Sequence, residues 1–307
     1  MTTVAAIDCG TNAIRLLVAD VASDGTMHDR SRLMRIVRLG EGVDRTGEFS
    51  ESALARTFEA LDEYALVMTE LGVERLRFVA TSASRDVTNR AAFVDGVVTR
   101  IGVEPDVITG AEEASLSFTG ALLGLPAGLA DLPALVVDIG GGSTEFVLGA
   151  TEPERSTSVD IGCVRMTERH LHGDPPTVAE VTAAREDIST AVAVALTRVP
   201  PAAARSLVGL AGTVTTVSAM AMGLPEYDAT LLHGSLIAAA DVASVCSTLL
   251  AMPRRERAAL PFMHPGRVDV IAAGALILDT IVRAGGFAEV VVSETDILDG
   301  IAYSLRA

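Results

Sequence analysis

The sequence predicts an α/β protein made of two similar domains, and two observations support this fold class. The segment 135–148 has the pattern of an apolar strand, a glycine turn and a second apolar strand, with Asp138 before the turn and Glu145 after it. The segment 4–20 repeats that pattern around Asp8. Two copies of one hairpin, each followed by alternating helix and strand patterns, indicate two domains of the same kind.

The glycine turn after Asp138 is suited to binding phosphate. Glycine tolerates positive φ and has no Cβ, so the N–H groups of 140–142 can gather around an anion, and Ser143 adds a hydroxyl donor. The glycines alone fit a plain hairpin equally well. The second copy favours phosphate binding, because two such turns facing a cleft can hold a phosphate chain from both sides, with Asp8 and Asp138 placing metal or water.

The motifs resemble those of one known family. Residues 8–12 (DCGTN) and 138–145 (DIGGGSTE) are similar to the two phosphate motifs of the exopolyphosphatase/guanosine pentaphosphate phosphohydrolase family, which belongs to the actin, Hsp70 and sugar-kinase superfamily. Further matching segments follow in the family's order over nearly the whole chain, at 80–85, 108–114, 162–169, 209–213 and 265–274. The resemblance implies two ribonuclease-H-like (actin-like) domains flanking an interdomain cleft.

The resemblance also implies catalytic residues. Glu113 aligns with the family's catalytic glutamate, which activates the attacking water and must come within hydrogen-bond reach of it. Arg85 follows a predicted buried strand at 76–80, where the family has a phosphate-contacting arginine. A guanidinium binds phosphate oxygens in two places at once. Position alone also allows Arg85 to pair with Asp86 or with a helix end.

The remaining site residues are metal and phosphate ligands. We expect Mg²⁺, with Mn²⁺ as the alternative, on Asp138, Asp8 and Glu145, and we also count Glu145 as catalytic. A third strand-to-glycine turn, before the helix 214–222, offers a helix N-terminus to an anion. Arg267 either faces this site or pairs with a nearby acid. The predicted phosphate ligands are Asn12, which also contacts the metal through water, Gly140, Gly141, Gly142, Ser143, Gly212 and Thr213.

Composition excludes several classes of protein. The net charge of -16 argues against general nucleic-acid binding, so a polyanion must bind locally. All 24 basic residues are arginine, which excludes P-loop, Schiff-base and lysine-based phosphotransfer chemistry. We expect a cytoplasmic protein without a membrane partner, because no apolar run is long enough to span a bilayer and the N-terminus enters a strand directly. Cys9, Cys163 and Cys246 lie far apart and are expected to be packing residues.

We place the N-terminal domain at 1–125, a linker at 126–133 and the C-terminal domain at 134–307, with the last helix, at 296–307, packing on the first domain. The arginine-rich segment 30–38 is expected to be a third strand with an exposed face, rather than a phosphate-steering surface. The other predicted helices are 50–71, 89–101, 179–196, 238–250 and 268–283, with one more beginning at 110, and the other predicted strands are 105–108, 157–161, 207–211 and 290–293.

We interpret the chain as an exopolyphosphatase that hydrolyses the terminal phosphoanhydride of inorganic polyphosphate and releases orthophosphate. Longer relatives carry additional C-terminal domains, so we expect short chains to be preferred, and a homodimer to lengthen the groove. The alternative substrate is guanosine pentaphosphate (pppGpp), and no segment decides for or against guanine. An ATP-dependent phosphotransferase is disfavoured because Glu112-Glu113 suits a water-activating base. A noncatalytic nucleotide sensor is the remaining alternative.

Overall fold

The computed structural model describes residues 1–22 and 26–306, which pack as two compact units. Unit 1 consists of Met1–Gly120 and Ile297–Ala307, and unit 2 consists of Ala121–Asp296. Ala307, the last residue of the predicted terminal helix, lies outside the described residues. The division falls within the helix Gly110–Gly124, whereas the predicted linker follows that helix. The linker therefore stays a prediction.

Unit 1 contains a five-stranded sheet with the spatial order β3-β2-β1-β4-β5. β2 is antiparallel to both β1 and β3, whereas β4 runs parallel to β1 and β5 runs parallel to β4. Successive residues of the central strand point to opposite faces, and both faces are covered, so the strand is apolar from Val4 to Ile7. The strands are β1 Thr2–Cys9, β2 Ala13–Val21, β3 Met27–Ile36, β4 Arg75–Ala80 and β5 Asp106–Val107.

Unit 2 repeats this arrangement and adds one strand at an edge. Its sheet has the order β10-β11-β9-β6-β7-β8, so that β6, β7 and β8 correspond to β1, β2 and β3, and β9 and β11 to β4 and β5. The predicted duplication and the two ribonuclease-H-like sheets are confirmed. The strands are β6 Ala134–Ile139, β7 Thr144–Gly149, β8 Pro153–Val159, β9 Ser206–Leu210, β10 Leu236–Ala238 and β11 Glu289–Val292.

The helices cover the faces of the two sheets. Their starts follow local chemistry: the Ser50 hydroxyl accepts the N–H of Ala53 at the start of α2, and Thr177 and Glu180 form a capping box at the start of α7. The helices are α1 Val43–Thr46, α2 Glu51–Glu70, α3 Ser82–Arg85, α4 Arg90–Ile101, α5 Gly110–Gly124, α6 Cys163–His170, α7 Val178–Arg198, α8 Ala211–Ala221, α9 Ala229–Leu232, α10 Ala239–Ala251, α11 Arg254–Ala258, α12 Ile271–Gly285 and α13 Ile297–Ser304. Two 3₁₀ turns lie at Pro201–Ala203 and Pro265–Arg267.

Several predicted bounds differ from the structure; the helix expected at 268–283, for example, begins at Ile271. The strand expected at 157–161 lies at Pro153–Val159, because Ile161 belongs to the loop before α6. The helix expected at 214–222 begins at Ala211, so Gly212 lies in its first turn instead of in a turn before it. Ala211 itself adopts a left-handed φ of 68°, which lets the strand turn directly into the helix. None of the helices in the described chain combines the length and the apolar character needed to cross a membrane.

The terminal helix α13 completes the core of unit 1. Its apolar residues Ile297, Leu298 and Ile301 are buried against one face of the five-stranded sheet. Gly300 lets this helix approach α5 closely, since a Cβ at Gly300 would lie 2.1 Å from the carbonyl oxygen of Leu116.

We expect Gly300→Ala to lower the free energy of unfolding by about 1–3 kcal/mol, because the added methyl group forces α13 away from a backbone atom. Urea denaturation measures the change. The control is Leu66→Ala, at a helical position that is 67% exposed, where a change within about 0.5 kcal/mol is expected. Equal stability of Gly300→Ala and the wild type would contradict the packing of α13.

Candidate active site

The second glycine turn is held by its carbonyl groups. The turn closes with a hydrogen bond of 3.0 Å from Gly140 N to Ser143 O. The first N–H groups of α6 donate to the carbonyls of Gly140 and Gly141, and Arg165 Nε donates to Gly142 O at 2.8 Å. Within the described chain, the N–H groups of Gly141, Gly142 and Ser143 donate to no other residue. Backbone donors need partners, so these three N–H groups can donate to an anion.

Gly162 explains how the turn and α6 fit together. A Cβ at this position would lie 2.3 Å from the carbonyl carbon of Gly141, so only glycine allows the helix to begin against the turn. No local pattern in the sequence indicates this role, because Gly162 lies well beyond the hairpin.

The first turn is built in the same way within unit 1. It closes with a hydrogen bond of 2.9 Å from Gly10 N to Ala13 O, and its carbonyls accept from the segment 37–40. The carbonyl of Asn12 accepts from Val37 and Arg38, and that of Thr11 accepts from Gly40. As in the second turn, N–H groups of neighbouring backbone form hydrogen bonds with the carbonyls of the turn.

Two predicted metal ligands lie opposite each other in the second hairpin. Asp138 on β6 and Glu145 on β7 are register partners, so both side chains extend from the same face, and both are buried. The next strand contributes Ser158, whose hydroxyl donates to Glu145 Oε1 at 2.8 Å. Facing carboxylates repel each other unless a cation lies near them, and carboxylate oxygens are ligands that Mg²⁺ accepts. The donor set at this hairpin therefore fits Mg²⁺.

This donor set is incomplete by itself. Within the described ranges, 1–22 and 26–306, no group of three or more His, Cys, Asp and Glu residues could hold a metal ion. Mg²⁺ usually retains several waters and binds substrate phosphates beside one or two protein carboxylates. Asp138 and Glu145 therefore suit a metal that arrives with a phosphorylated substrate.

The third predicted metal ligand, Asp8, has a different surrounding. Its register partner in the hairpin is Arg15, and both Arg15 Nη2 and Arg15 Nε donate to Asp8 Oδ2, at 2.6 and 3.0 Å. Arg15 occupies the place that Glu145 occupies in the second hairpin. The first hairpin thus combines one acid and one base, where the second combines two acids.

The two predicted catalytic residues of unit 1 contact each other. Arg85 Nη1 donates to Glu113 Oε2 at 2.8 Å and to the carbonyl of Ile108 at 3.0 Å. The expected alternatives, a pair with Asp86 or a helix end, are not the contacts of Arg85. Within the part of the chain that the structure describes, Arg85 Nε and Nη2 donate to no other group. The guanidinium can therefore hold Glu113 on one side and phosphate oxygens on the other.

The third predicted phosphate site lies at the N-terminus of α8. A Cβ at Gly212 would lie 2.4 Å from Arg267 Cζ, so the guanidinium lies directly on the backbone of this turn. Arg267 Nη1 also donates to Thr216 Oγ1 at 3.1 Å. No acid forms an ion pair with Arg267 among the described residues, and a role of Arg267 in the predicted site stays a prediction. Helix N-terminus and guanidinium both favour an anion.

The second and third phosphate sites of unit 2 adjoin each other. β6 and β9 are neighbouring parallel strands, so Asp138 and Leu210 are register partners and both turns follow at the same sheet edge. Cys163, the first residue of α6, donates its N–H to Gly140 O and lies beside Thr213. The predicted residues 140–143 and 212–213 therefore lie close together at one edge of the sheet of unit 2.

The arginine-rich strand β3 is not a phosphate surface. Arg30, Arg32 and Arg35 each form an ion pair with an acidic side chain. The expected exposed strand face is confirmed for these three arginines. Exposed pairs of this kind contribute little to stability.

The three cysteines are buried thiols without disulfide partners. Burial raises the pKa of Cys163 to about 11 and that of Cys246 to about 12. Burial, together with the charge of Asp8, raises the pKa of Cys9 well above its ordinary value. Since the thiolate is the nucleophile, none of the three suits covalent catalysis, although Cys9 and Cys163 lie next to the two turns.

Comparison with known proteins gives consistent relationships. The model of the Ppx/GppA phosphatase family matches residues 17–306. The chain is 52% identical over 317 aligned residues to Exopolyphosphatase 2 of Mycobacterium tuberculosis, with 99% of both chains covered. It is 32% identical over 226 residues to the Guanosine-5'-triphosphate,3'-diphosphate pyrophosphatase of Photobacterium profundum, with 72% of this chain and 44% of that protein covered. The crystal structure of an exopolyphosphatase-like protein matches with a TM-score of 0.94 and 42% identity, covering 98% of this chain and 97% of that one.

We expect the native protein to react with Ellman's reagent at pH 8 at least about a hundredfold more slowly than free cysteine, because burial keeps the thiols protonated and inaccessible. In guanidinium chloride, all three thiols should react. Rapid modification of any thiol in the native state would contradict the buried assignment.

Proposed function

Because this chain belongs to the Ppx/GppA phosphatase family, we propose that it is an exopolyphosphatase that hydrolyses the terminal phosphoanhydride bond of inorganic polyphosphate and releases orthophosphate. The observation that carries the proposal is the contact between Arg85 and Glu113. Glu113 can act as a general base, and Arg85 keeps N–H donors that bond to no other described group. Hydrolysis of a phosphate chain needs both a base for water and a cation for the phosphate.

In this proposal, Arg85 binds oxygens of the terminal phosphate through Nε and Nη2 while Nη1 holds Glu113. The guanidinium thereby fixes the distance between the base and the phosphorus atom under attack. The same contact orients the carboxylate of Glu113. The water oxygen forms a bond to phosphorus, its proton passes to Glu113, and the bond to the bridging oxygen breaks. The shortened chain leaves with that oxygen.

The second glycine turn supplies the anion and cation sites of the proposal. Within unit 2, the N–H groups of 141–143 bind phosphate oxygens, and so does the N-terminus of α8 with Gly212, Thr213 and Arg267. Asp138 and Glu145 would hold Mg²⁺, or Mn²⁺, which neutralises phosphate charge when bound. Ser158 keeps the carboxylate of Glu145 oriented.

A second candidate substrate is guanosine pentaphosphate, which presents the same phosphoanhydride chemistry at its 5′ end. It is favoured by the similarity to the Photobacterium profundum protein, whose name specifies that class of nucleotide. Polyphosphate is the main proposal because the relative that matches along 99% of its length is an exopolyphosphatase. An ATP-dependent phosphotransferase has no observation in its favour.

The proposal also includes the setting of the enzyme. We propose a cytoplasmic homodimer, and the free, buried cysteines are compatible with a reducing compartment. The homodimer rests on the resemblance alone.

Purified protein should release orthophosphate from polyphosphate in the presence of Mg²⁺, and release should stop when EDTA removes the metal, because the phosphate charge is then no longer neutralised. A malachite-green assay across polyphosphates of several lengths, pppGpp and ATP measures the preference. Faster release from pppGpp than from every polyphosphate would replace the main proposal with the second one. Transfer of label from ATP to an acceptor, without phosphate release, would contradict both.

Glu113→Gln should lower kcat by about 10²–10⁴-fold with little effect on KM, because the variant cannot accept the proton from water. Arg85→Lys should raise KM and lower kcat together, because an ammonium keeps the charge but cannot contact the base and the phosphate from two sides. Matched controls are Glu112→Gln and Arg77→Gln, whose side chains pair with each other on the surface of the same unit. Wild-type kcat in Glu113→Gln would eliminate the proposed base.

A further inference from the structure

One tyrosine in unit 2 contacts two side chains of opposite charge that do not pair with each other. Tyr227 lies between α8 and α9, and its hydroxyl is 2.6 Å from Glu294 Oε1. The guanidinium of Arg267 lies over the ring of the same tyrosine, with Cζ 6.0 Å from the ring centre. Among the described residues, the carboxylate of Glu294 is bonded to Tyr227 and forms no ion pair with Arg267.

The hydroxyl of Tyr227 is held from two sides. It lies 2.9 Å from Thr215 Oγ1 on α8 as well as 2.6 Å from Glu294 Oε1. A hydroxyl has one proton, and an ionised carboxylate can only accept, so Tyr227 donates to Glu294 and accepts from Thr215. Burial raises the pKa of Tyr227 to about 12, so this proton stays on the phenol at neutral pH.

Glu294 is an acid that could neutralise Arg267. Burial raises the pKa of Glu294, and the hydrogen bond from Tyr227 and the charge of Arg267 offset part of that rise. The carboxylate therefore lies within electrostatic range of the guanidinium. A partly buried carboxylate needs a donor, so without the Tyr227 hydroxyl we expect it to turn to Arg267.

Arg267 is oriented by neutral groups instead. Its Nη1 donates to Thr216 Oγ1 at 3.1 Å, and the same hydroxyl donates to the carbonyl of Gly212 at 2.6 Å. The guanidinium also lies on the backbone of Gly212, where a Cβ would be 2.4 Å from Cζ. Neutral contacts hold the side chain without cancelling its charge, so the charge stays available to an anion.

We propose that Tyr227 is a positioning residue for anion binding in unit 2: its hydroxyl binds the carboxylate of Glu294 and so keeps the charge of Arg267 available to a phosphate of the substrate. Tyr227 itself does not contact the phosphate. This inference rests on the proposed function, in which Arg267 takes part in phosphate binding at the start of α8. It adds Tyr227 and Glu294, which belong to neither of the two hairpin motifs.

The test removes the hydroxyl and then the acid. Each variant is made in the Glu113→Gln background, so that polyphosphate is not consumed, and isothermal titration calorimetry in the presence of Mg²⁺ measures the affinity for inorganic polyphosphate. The variants are Tyr227→Phe, Glu294→Gln and the double variant. Tyr303→Phe, whose ring packs on Arg306 in unit 1, is the control for loss of a phenol hydroxyl. Tyr227 is 38% exposed and keeps its ring in the variant, so Tyr227→Phe should fold.

Tyr227→Phe should weaken polyphosphate binding by about 5–50-fold, because Glu294 then neutralises Arg267. Glu294→Gln should stay within about twofold of the wild-type affinity, and the double variant should return to that range, since glutamine cannot neutralise a guanidinium. A role of Tyr227 in packing alone would show no such rescue. Tyr303→Phe should leave the affinity unchanged.

A crystal structure of Tyr227→Phe gives a second readout that needs no substrate. We expect a carboxylate oxygen of Glu294 within about 4 Å of a guanidinium nitrogen of Arg267, the distance of an ion pair. In an Arg267→Gln protein, adding Tyr227→Phe should change polyphosphate affinity by less than about twofold, because the charge that the hydroxyl protects is already gone.

Three results would overturn the inference. The first is normal polyphosphate affinity in Tyr227→Phe, and the second is weakened affinity that Glu294→Gln does not restore. The third is a crystal structure of Tyr227→Phe in which Glu294 stays away from Arg267. Failure of the proposed function is a separate result: protein with Glu113 intact would release no orthophosphate, whereas the contact between Glu294 and Arg267 in the variant crystal does not depend on hydrolysis.

Discussion

The hydrogen-bonding requirement of the peptide backbone determines how this chain presents itself to a ligand. Each peptide has a donor side and an acceptor side, and a buried group of either kind is costly without a partner. In both glycine turns, N–H groups of neighbouring backbone donate to the carbonyls of the turn. These N–H groups belong to α6 at the second turn and to the segment 37–40 at the first. The donors of the second turn are left for an external anion. Gly162 is therefore as much a part of the phosphate site as the glycines that form the turn, although it never contacts a ligand.

Charge is distributed so that a strongly acidic protein still offers a few cations to a polyanion. The net charge is -16, and the arginines of β3 are paired with acids, so a long-range field would not attract phosphate. Arg267 and Arg85 differ from these arginines. Arg267 forms no ion pair with an acid among the described residues, and Arg85 keeps N–H donors beyond its bonds to Glu113 and Ile108. Recognition therefore depends on short-range contacts, which salt screens much less than it screens distant charges.

The sequence predicted the elements that depend on local pattern. The hairpins around Asp8 and Asp138 carry strict apolar runs and glycines, and the duplication of the sheets followed from them. The start of α2 at Ser50 and its end before Gly72 also followed from local chemistry. The end of β8 was misplaced because no local pattern shows that Ile161 lies in a loop. The start of α8 was misplaced because no local pattern shows that Ala211 adopts a left-handed conformation.

Contacts between distant segments were harder to predict. The bond from Arg85 to Glu113 joins residues 28 positions apart, and no periodicity encodes it. Arg267 was left undecided because only the fold brings it onto the backbone of Gly212. Arg15 was missed although the sequence contains a signal. When the two hairpins are aligned, Arg15 falls at the position of Glu145, so the charge at that position is positive in one hairpin and negative in the other. Ser158 had no such signal, since it lies on the following strand.

The placement of α13 has a consequence for biosynthesis. The ribosome makes most of unit 1 first, yet the helix that covers one face of its sheet, against residues such as Val4 and Leu17, is translated last. Unit 2 is continuous and can fold while the nascent chain is still growing, whereas unit 1 has to wait with an uncovered apolar surface until 297–304 has emerged. During that interval, the apolar face of the early strands stays without the helix that covers it in the folded unit.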